Sequence, residues 1–242
     1  MLLFLDNVEV IRMQQKRQTA AQFLNGHELP LCDVVIGLDI SGSMTELYRD
    51  GVVQQFLEDL LALSQFIDAN KQIDMFVFGS DSYRATLLDE DNIEGYVYRE
   101  IIRMFEVESS TKYAPLMKNI AIHFSLYQEE VIKKGFSKKY IGQVLQTTRE
   151  VPILAFILTD GNNFDQRETT EVLTLLEHQP IYWQFIGTGE ESFPYLQKVQ
   201  HQFGNINFTY AKHLGEIAQT SLYESSIEGY KHWISSTQKI SR

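Results

Sequence analysis

The segment Asp39-Ile40-Ser41-Gly42-Ser43 places one carboxylate and two hydroxyls at alternate positions, directly after the apolar run Val34, Val35, Ile36 and Leu38. Such a run reads as a strand buried on both faces. Gly42 permits a tight turn from which Asp39, Ser41 and Ser43 point the same way. A second buried-looking run, Ile153 to Leu158, ends in Thr159-Asp160-Gly161. In a parallel sheet both aspartates come to one edge, and ligands of open α/β sheets collect outside the carboxyl ends of the strands, at the switch point. If the two strands are neighbours, their backbones lie about 4.8 Å apart. Two carboxylates there repel unless one takes a proton or a cation lies between them, and a cation is the more economical answer. Taken singly, Asp39 or Ser43 reads as a helix cap and Asp160-Gly161 as a turn. Independent caps have no reason to meet at a switch point.

The elements that must position these groups alternate. After the first strand, Val53, Phe56, Leu57, Leu60, Leu61, Ser64 and Ile67 recur at helical spacing between Thr45 and Asp68. Ile73 to Phe78 reads as a strand, a helix opens near Ala114-Pro115, and Ile153 to Leu158 is the next strand. A helix over 166–176, a strand over 181–186 and a short strand near 206–210 follow. The alternation predicts an α/β fold, a doubly wound, mainly parallel sheet flanked by helices on both faces. The expected organisation is a helical extension at 1–30, one domain at 31–212 with a surface helix or loop inserted at 128–149, and a helix packed on the domain at 213–242.

With Thr111 in a loop before the 114–115 helix start, the set Asp39-x-Ser41-x-Ser43, Thr111 and Asp160-Gly161 resembles the metal-ion-dependent adhesion site of von Willebrand factor A (vWA) domains. All five positions occur in order, and the resemblance covers about residues 31–212. The wording of Asp39 to Met44, Thr111-Lys112-Tyr113-Ala114-Pro115 and Leu158 to Gly161 is similar to the tellurium-resistance-associated branch. The resemblance implies Ser41, Ser43 and Thr111 as hydroxyl ligands, with Asp39 and Asp160 bound directly or through water. It also implies an open coordination position for an Asp or Glu carboxylate of a protein partner, and a tellurite or stress-response setting. An all-oxygen set suits Mg²⁺ or Mn²⁺ and disfavours zinc. The third ligand loop reads Ser109-Ser110-Thr111-Lys112, where many relatives have glycine before the threonine, so Ser110 is the alternative donor. Lys112 and Tyr113 adjoin Thr111 and are expected on the rim, facing a partner. Relatives of the integrin type couple the metal to their last helix, which places 215–233 as a candidate reporter.

Other function classes fare worse. The chain has 242 residues and a net charge of −11, so a polyanion such as nucleic acid is repelled. Its only cysteine, Cys32, allows neither an intramolecular disulfide nor a thiolate metal site. No run is long enough to span a bilayer and the N-terminus lacks a signal-peptide pattern, giving a cytoplasmic expectation. A metal-dependent hydrolase of the aspartyl-phosphate type needs an acid two residues after its aspartate, where this chain has Ser41. A Gly-x-x-x-x-Gly-Lys phosphate loop is missing, and the six histidines are scattered. The expectation is a binding module rather than an enzyme, with an ion-free scaffold as the remaining alternative. Tyr182, Trp183 and Phe185 read as core residues.

Overall fold

The computed structural model describes residues 2–27, 29–134 and 137–240, with side chains described over 10–27, 29–130 and 141–237. A long first helix, α1 (Leu2–Leu24), precedes β1 (Asp33–Asp39), a short 3₁₀ turn (Gly42–Met44), α2 (Thr45–Arg49) and α3 (Val52–Ile67). Strand β2 (Asp74–Phe78) and the short β3 (Ser82–Arg84) lead through a π-helix (Val97–Ile102) to α4 (Tyr113–His123). The hairpin β4 (Tyr127–Lys134) and β5 (Ser137–Val144) comes next. Then β6 (Ile153–Thr159), α5 (Gln166–Leu176), β7 (Ile181–Thr188), α6 (Pro194–Val199), β8 (Ile206–Ala211) and α7 (Gln219–Ile240) complete the chain.

The main sheet has six strands in the order β3-β2-β1-β6-β7-β8, all parallel except the edge strand β3. Alternation along the strands divides the core. Val34, Ile36, Leu38, Leu154, Phe156 and Leu158 face the layer of α1, α3 and α7, while Val35, Ile153, Ala155 and Ile157 face α4, α5 and α6. Burial on both faces is why these strands are apolar throughout. Gly37 lies tight under α4: a Cβ there would stand 2.7 Å from Leu116 Cδ2 and oblige that buried side chain to shift. Trp183, Tyr182 and Phe185 are core residues as expected.

The sheet order makes β1 and β6 neighbours, paired from Asp33↔Ile153 to Leu38↔Leu158. From β1 the chain leaves toward β2 on one side, and from β6 toward β7 on the other, so the switch point lies between them.

Two expectations change, and one element goes beyond them. The helix expected over 45–68 is broken at Asp50-Gly51, where Gly51 takes φ of 77°, a left-handed conformation that suits glycine. Within residues 128–149 lies a hairpin, with register Tyr127↔Val144 through Lys134↔Ser137, rather than a helix or loop. Val131, Ile132, Tyr140, Ile141 and Val144 interleave with its lysines and favour strand. The segment 97–102, where Arg99 and Glu100 interrupt the apolar residues, forms a π-helix that helical periodicity does not single out.

The terminal helices pack on one layer of the sheet. Arg12 donates to Glu58 at 2.6 Å and Lys16 pairs with Asp59, tying α1 to α3. Leu222, Tyr223, Ile227 and Tyr230 of α7 are buried in the same cluster. No described helix is long and apolar enough to cross a membrane.

Candidate metal centre

Asp39 ends β1 and is completely buried. Its Oδ1 accepts the Ser41 N–H at 2.8 Å, while Oδ2 accepts the hydroxyls of Thr159 at 2.6 Å and Thr111 at 3.3 Å. Tyr48 of α2 donates to the Asp39 carbonyl at 2.8 Å, fixing the backbone at the strand end. Ser41 Oγ lies 3.3 Å from Ser43 Oγ, and Ser43 in turn donates to Asp160 Oδ1 at 2.7 Å. Asp39, Ser41, Ser43, Thr111 and Asp160, drawn from three loops, thus form one connected cluster. Ser41, Ser43 and Thr111 line a cleft of about 400 Å³ together with Ser110, Gly161 and Phe164.

The electrostatics follow from burial. The Asp39 carboxyl is pushed up to about 6 because burial disfavours its charge; hydrogen bonds from Thr159 and Ser41 offset part of this, and the neighbouring charge of Asp160 adds to it. Asp160 is also raised, first by burial and also by Glu191, against the hydrogen bond from Ser43. The hydrogen-bond partners of Asp39 are neutral N–H and O–H groups. A cluster with two carboxylates at a strand edge, oriented hydroxyls and a buried anion held only by neutral donors is suited to a hard divalent cation. No group of three or more histidine, cysteine, aspartate or glutamate side chains suited to a metal occurs among the described residues. Besides its two carboxylates, the cluster offers the hydroxyls of Ser41, Ser43 and Thr111 as candidate donors.

Two loops of the site are stitched together by residues that the sequence did not reveal. Asp165, just after the Asp160 turn, accepts the N–H groups of Tyr113 at 3.1 Å and Ala114 at 2.8 Å, capping α4 from another segment. Its Oδ1 also accepts from Asn163 Nδ2 at 2.9 Å and Thr169 Oγ1 at 3.1 Å. Phe164 N donates to the Thr111 carbonyl at 3.0 Å. Thr159, adjacent to Asp160, was a further missed contributor; a hydroxyl one residue before a strand-end aspartate was the available signal.

The rim differs from expectation at Tyr113. This residue is fully buried: its ring packs against Phe78 and Phe185, with centroids 6.0 and 5.1 Å apart, and its hydroxyl donates to the Gly161 carbonyl at 2.8 Å. As the first residue of α4 it turns toward the sheet, so it cannot face a partner. Lys112 is half-buried, donates its N–H to the Gly79 carbonyl at 2.8 Å, and lines a neighbouring depression with Asp81, Lys118 and Phe164. The exposed ring beside the cleft is Phe164, 79% accessible. Ser110 also borders the cleft, but the hydroxyl that reaches Asp39 is that of Thr111.

A doubly wound sheet with this five-residue cluster at its switch point defines a von Willebrand factor A domain. Residues 31–241 match the model of the vWA-TerF-like family, the vWA domain found in the TerF C terminus, and the chain belongs to that family. The match includes α7. The uncharacterized protein YcbR of Bacillus subtilis (strain 168) is 27% identical over 202 residues, spanning 81% of this chain and 75% of YcbR. Among solved structures, a von Willebrand factor type A protein from Catenulispora acidiphila aligns with a TM-score of 0.56 at 11% identity, over 82% of this chain and 43% of that one. Proximal thread matrix protein 1 from the mussel byssus, solved with zinc occupying its MIDAS motif, aligns with a TM-score of 0.52 at 13% identity, over 83% of this chain and 48% of that one. This chain thus spans less than half of those two solved proteins.

Proposed function

We propose that the protein is a metal-ion-dependent protein-binding module, holding Mg²⁺ or Mn²⁺ through Asp39, Ser41, Ser43, Thr111 and Asp160 and gripping a carboxylate of its partner. The observation that carries this reading is the convergence of two strand-end carboxylates and three hydroxyls in a single cleft, with Asp39 buried and raised by burial. A bound ion would neutralise the two carboxylates and offer an acidic side chain an open position. Ser41, Ser43 and Thr111 would orient their oxygens toward it, while Thr159 and Tyr48 keep Asp39 at the strand end.

The byssus protein carries zinc in the corresponding motif. The all-oxygen donor set here favours magnesium or manganese, because zinc prefers nitrogen and sulfur ligands when they are available. The proposal is one of binding rather than turnover. The TerF-like family supports a tellurium-resistance-related setting, and a cytoplasmic stress-response assembly is the form proposed for it here.

Calorimetric titration of chelator-treated protein tests the reading. Saturable Mg²⁺ or Mn²⁺ binding, lost in Asp39→Ala and weakened in Thr111→Val, is expected. Water-proton relaxation of the Mn²⁺ complex should fall as an aspartate peptide displaces bound water. Binding that is indifferent to Asp39, or the absence of divalent binding in the folded wild type, would overturn it.

A further inference from the structure

Beside the proposed metal centre lies a larger cavity of about 590 Å³, within the range of ligand-binding pockets. Ile40, Val97 and Ile101 are its buried apolar residues, and Tyr98, Ile102 and Val107 are exposed around it. Resting on the metal-site reading above, we propose that this cavity is a second subsite of the same docking surface, taking a bulky apolar side chain that flanks the carboxylate on the partner's segment.

Continuity ties the two subsites. Ser41 lines both the cavity and the metal cleft, and a Cβ on Gly42 would lie 3.8 Å from Val107 Cγ1, so the apolar wall abuts the ligand turn. A segment that places its carboxylate in the cleft and runs toward Val107 therefore meets the cavity within a few residues of that carboxylate. The exposure is unusual as well. Tyr98 is 62% accessible, Val107 67% and Ile102 45%, and large apolar side chains grouped at a concave site mark binding surfaces. The π-helix carrying Tyr98 and Ile102 closes with the Arg103 N–H donating to the Tyr98 carbonyl at 3.2 Å. Such wide turns occur often at functional sites.

Charge decides what kind of occupant fits. Glu108 and Glu191 border the metal cleft, so an acidic segment meets repulsion there that a bound ion would offset, with Lys112 beside Glu108 and Arg49 at the cavity as the nearby cationic side chains. An apolar anchor adds attraction that is independent of charge, which a purely acidic partner would lack. Neither terminal helix lines the cavity among the described residues: α1 packs on α3, and the buried residues of α7 pack in the same helical layer. A protein segment of the form acidic residue plus nearby aromatic or aliphatic residue satisfies both subsites.

The test uses fluorescein-labelled hexapeptides with one fixed aspartate and Ser, Leu, Phe or Trp placed one to three positions away, read by fluorescence polarisation with saturating Mn²⁺ or with EDTA. Leu, Phe or Trp peptides should bind at least about tenfold more tightly than the Ser peptide in Mn²⁺, the scale of burying one apolar side chain. The advantage should vanish in Ile102→Ser and Tyr98→Ser, whose exposed positions leave the fold and Mn²⁺ affinity intact. Equal binding of all aspartate peptides in Mn²⁺ would overturn the second subsite and leave the metal reading standing. Apolar peptides that bind equally in EDTA and in Asp39→Ala would overturn the joint site and count against the metal reading. No binding by any peptide while Mn²⁺ binds would overturn the subsite and the carboxylate grip together. Self-association of the protein on sedimentation, lost in Ile102→Ser, would assign the cavity to a second copy and overturn the proposal.

Discussion

Replacing Asp165 by alanine should loosen the metal site without touching a proposed ligand. The carboxylate is buried and accepts two backbone N–H groups at the start of α4, plus Asn163 and Thr169. Hydrogen bonds to a charged acceptor contribute about 1.5–3 kcal/mol each. The helix dipole adds up to about 1 kcal/mol for an anion at the first turn. The N–H groups of Tyr113 and Ala114 would lose their acceptor inside the protein, so a stability loss of about 3–5 kcal/mol is expected, with some overlap among the bonds. The same change releases the join between the Thr111 loop and the Asp160 loop, which then rests on the Phe164–Thr111 and Tyr113–Gly161 hydrogen bonds. If the competent loop arrangement falls to about a tenth of the population, apparent Mn²⁺ affinity falls about tenfold. Urea unfolding in chelator measures the first quantity, and Mn²⁺ titration of the protein below its unfolding transition measures the second. Asp165→Asn, which keeps an acceptor oxygen, should recover part of each. An Asp165→Ala protein that is folded and destabilised as expected, yet binds Mn²⁺ with wild-type affinity, would refute the idea that this carboxylate positions Thr111.

Asp39→Asn should stabilise the metal-free protein while abolishing metal-dependent stabilisation. Burial raises the Asp39 carboxyl from 3.8 to about 6, so in chelator its charge costs up to about 3 kcal/mol above that range. The raised value means that stability in chelator declines as pH climbs from about 4 through about 6, and the asparagine variant should flatten that decline in urea midpoints. Gly37→Ala forces a methyl group to within 2.7 Å of Leu116 Cδ2, and a loss of about 1–3 kcal/mol by thermal or urea unfolding is expected. Tyr113→Phe removes the bond to the Gly161 carbonyl; unfolding should show a loss of about 1 kcal/mol, with the Thr111 loop still held by Asp165.

Much of the architecture was legible because β1 and β6 are nearly continuous apolar runs, β7 is apolar apart from Gln184 over 181–186, and α3 carries one apolar face. Those patterns report burial directly. The ends of β1 and β6 were readable too, since Asp39 and Asp160 interrupt apolar runs with charge. The hairpin at 127–144 was not, because its lysines and glutamines suit an exposed helix, a loop or a strand alike, and pairing of β4 with β5 decides among them. The π-helix escaped for a related reason: its five-residue hydrogen bonds leave no periodic signature in six residues.

What the chain's order of residues determined alone was the donor chemistry: hydroxyls and carboxylates at turn positions, no histidine or thiolate set, and a short list of strand ends where they fall. Only the folded arrangement decided which donors meet. Pairing of β1 with β6, more than a hundred positions apart, draws Ser43 to Asp160, and the cross-loop cap by Asp165 sets Thr111 beside Asp39. Tyr113 turned inward and Phe164 outward for the same reason. Side-chain direction at a helix start depends on the sheet beneath it, and no local spacing encodes the position of that sheet.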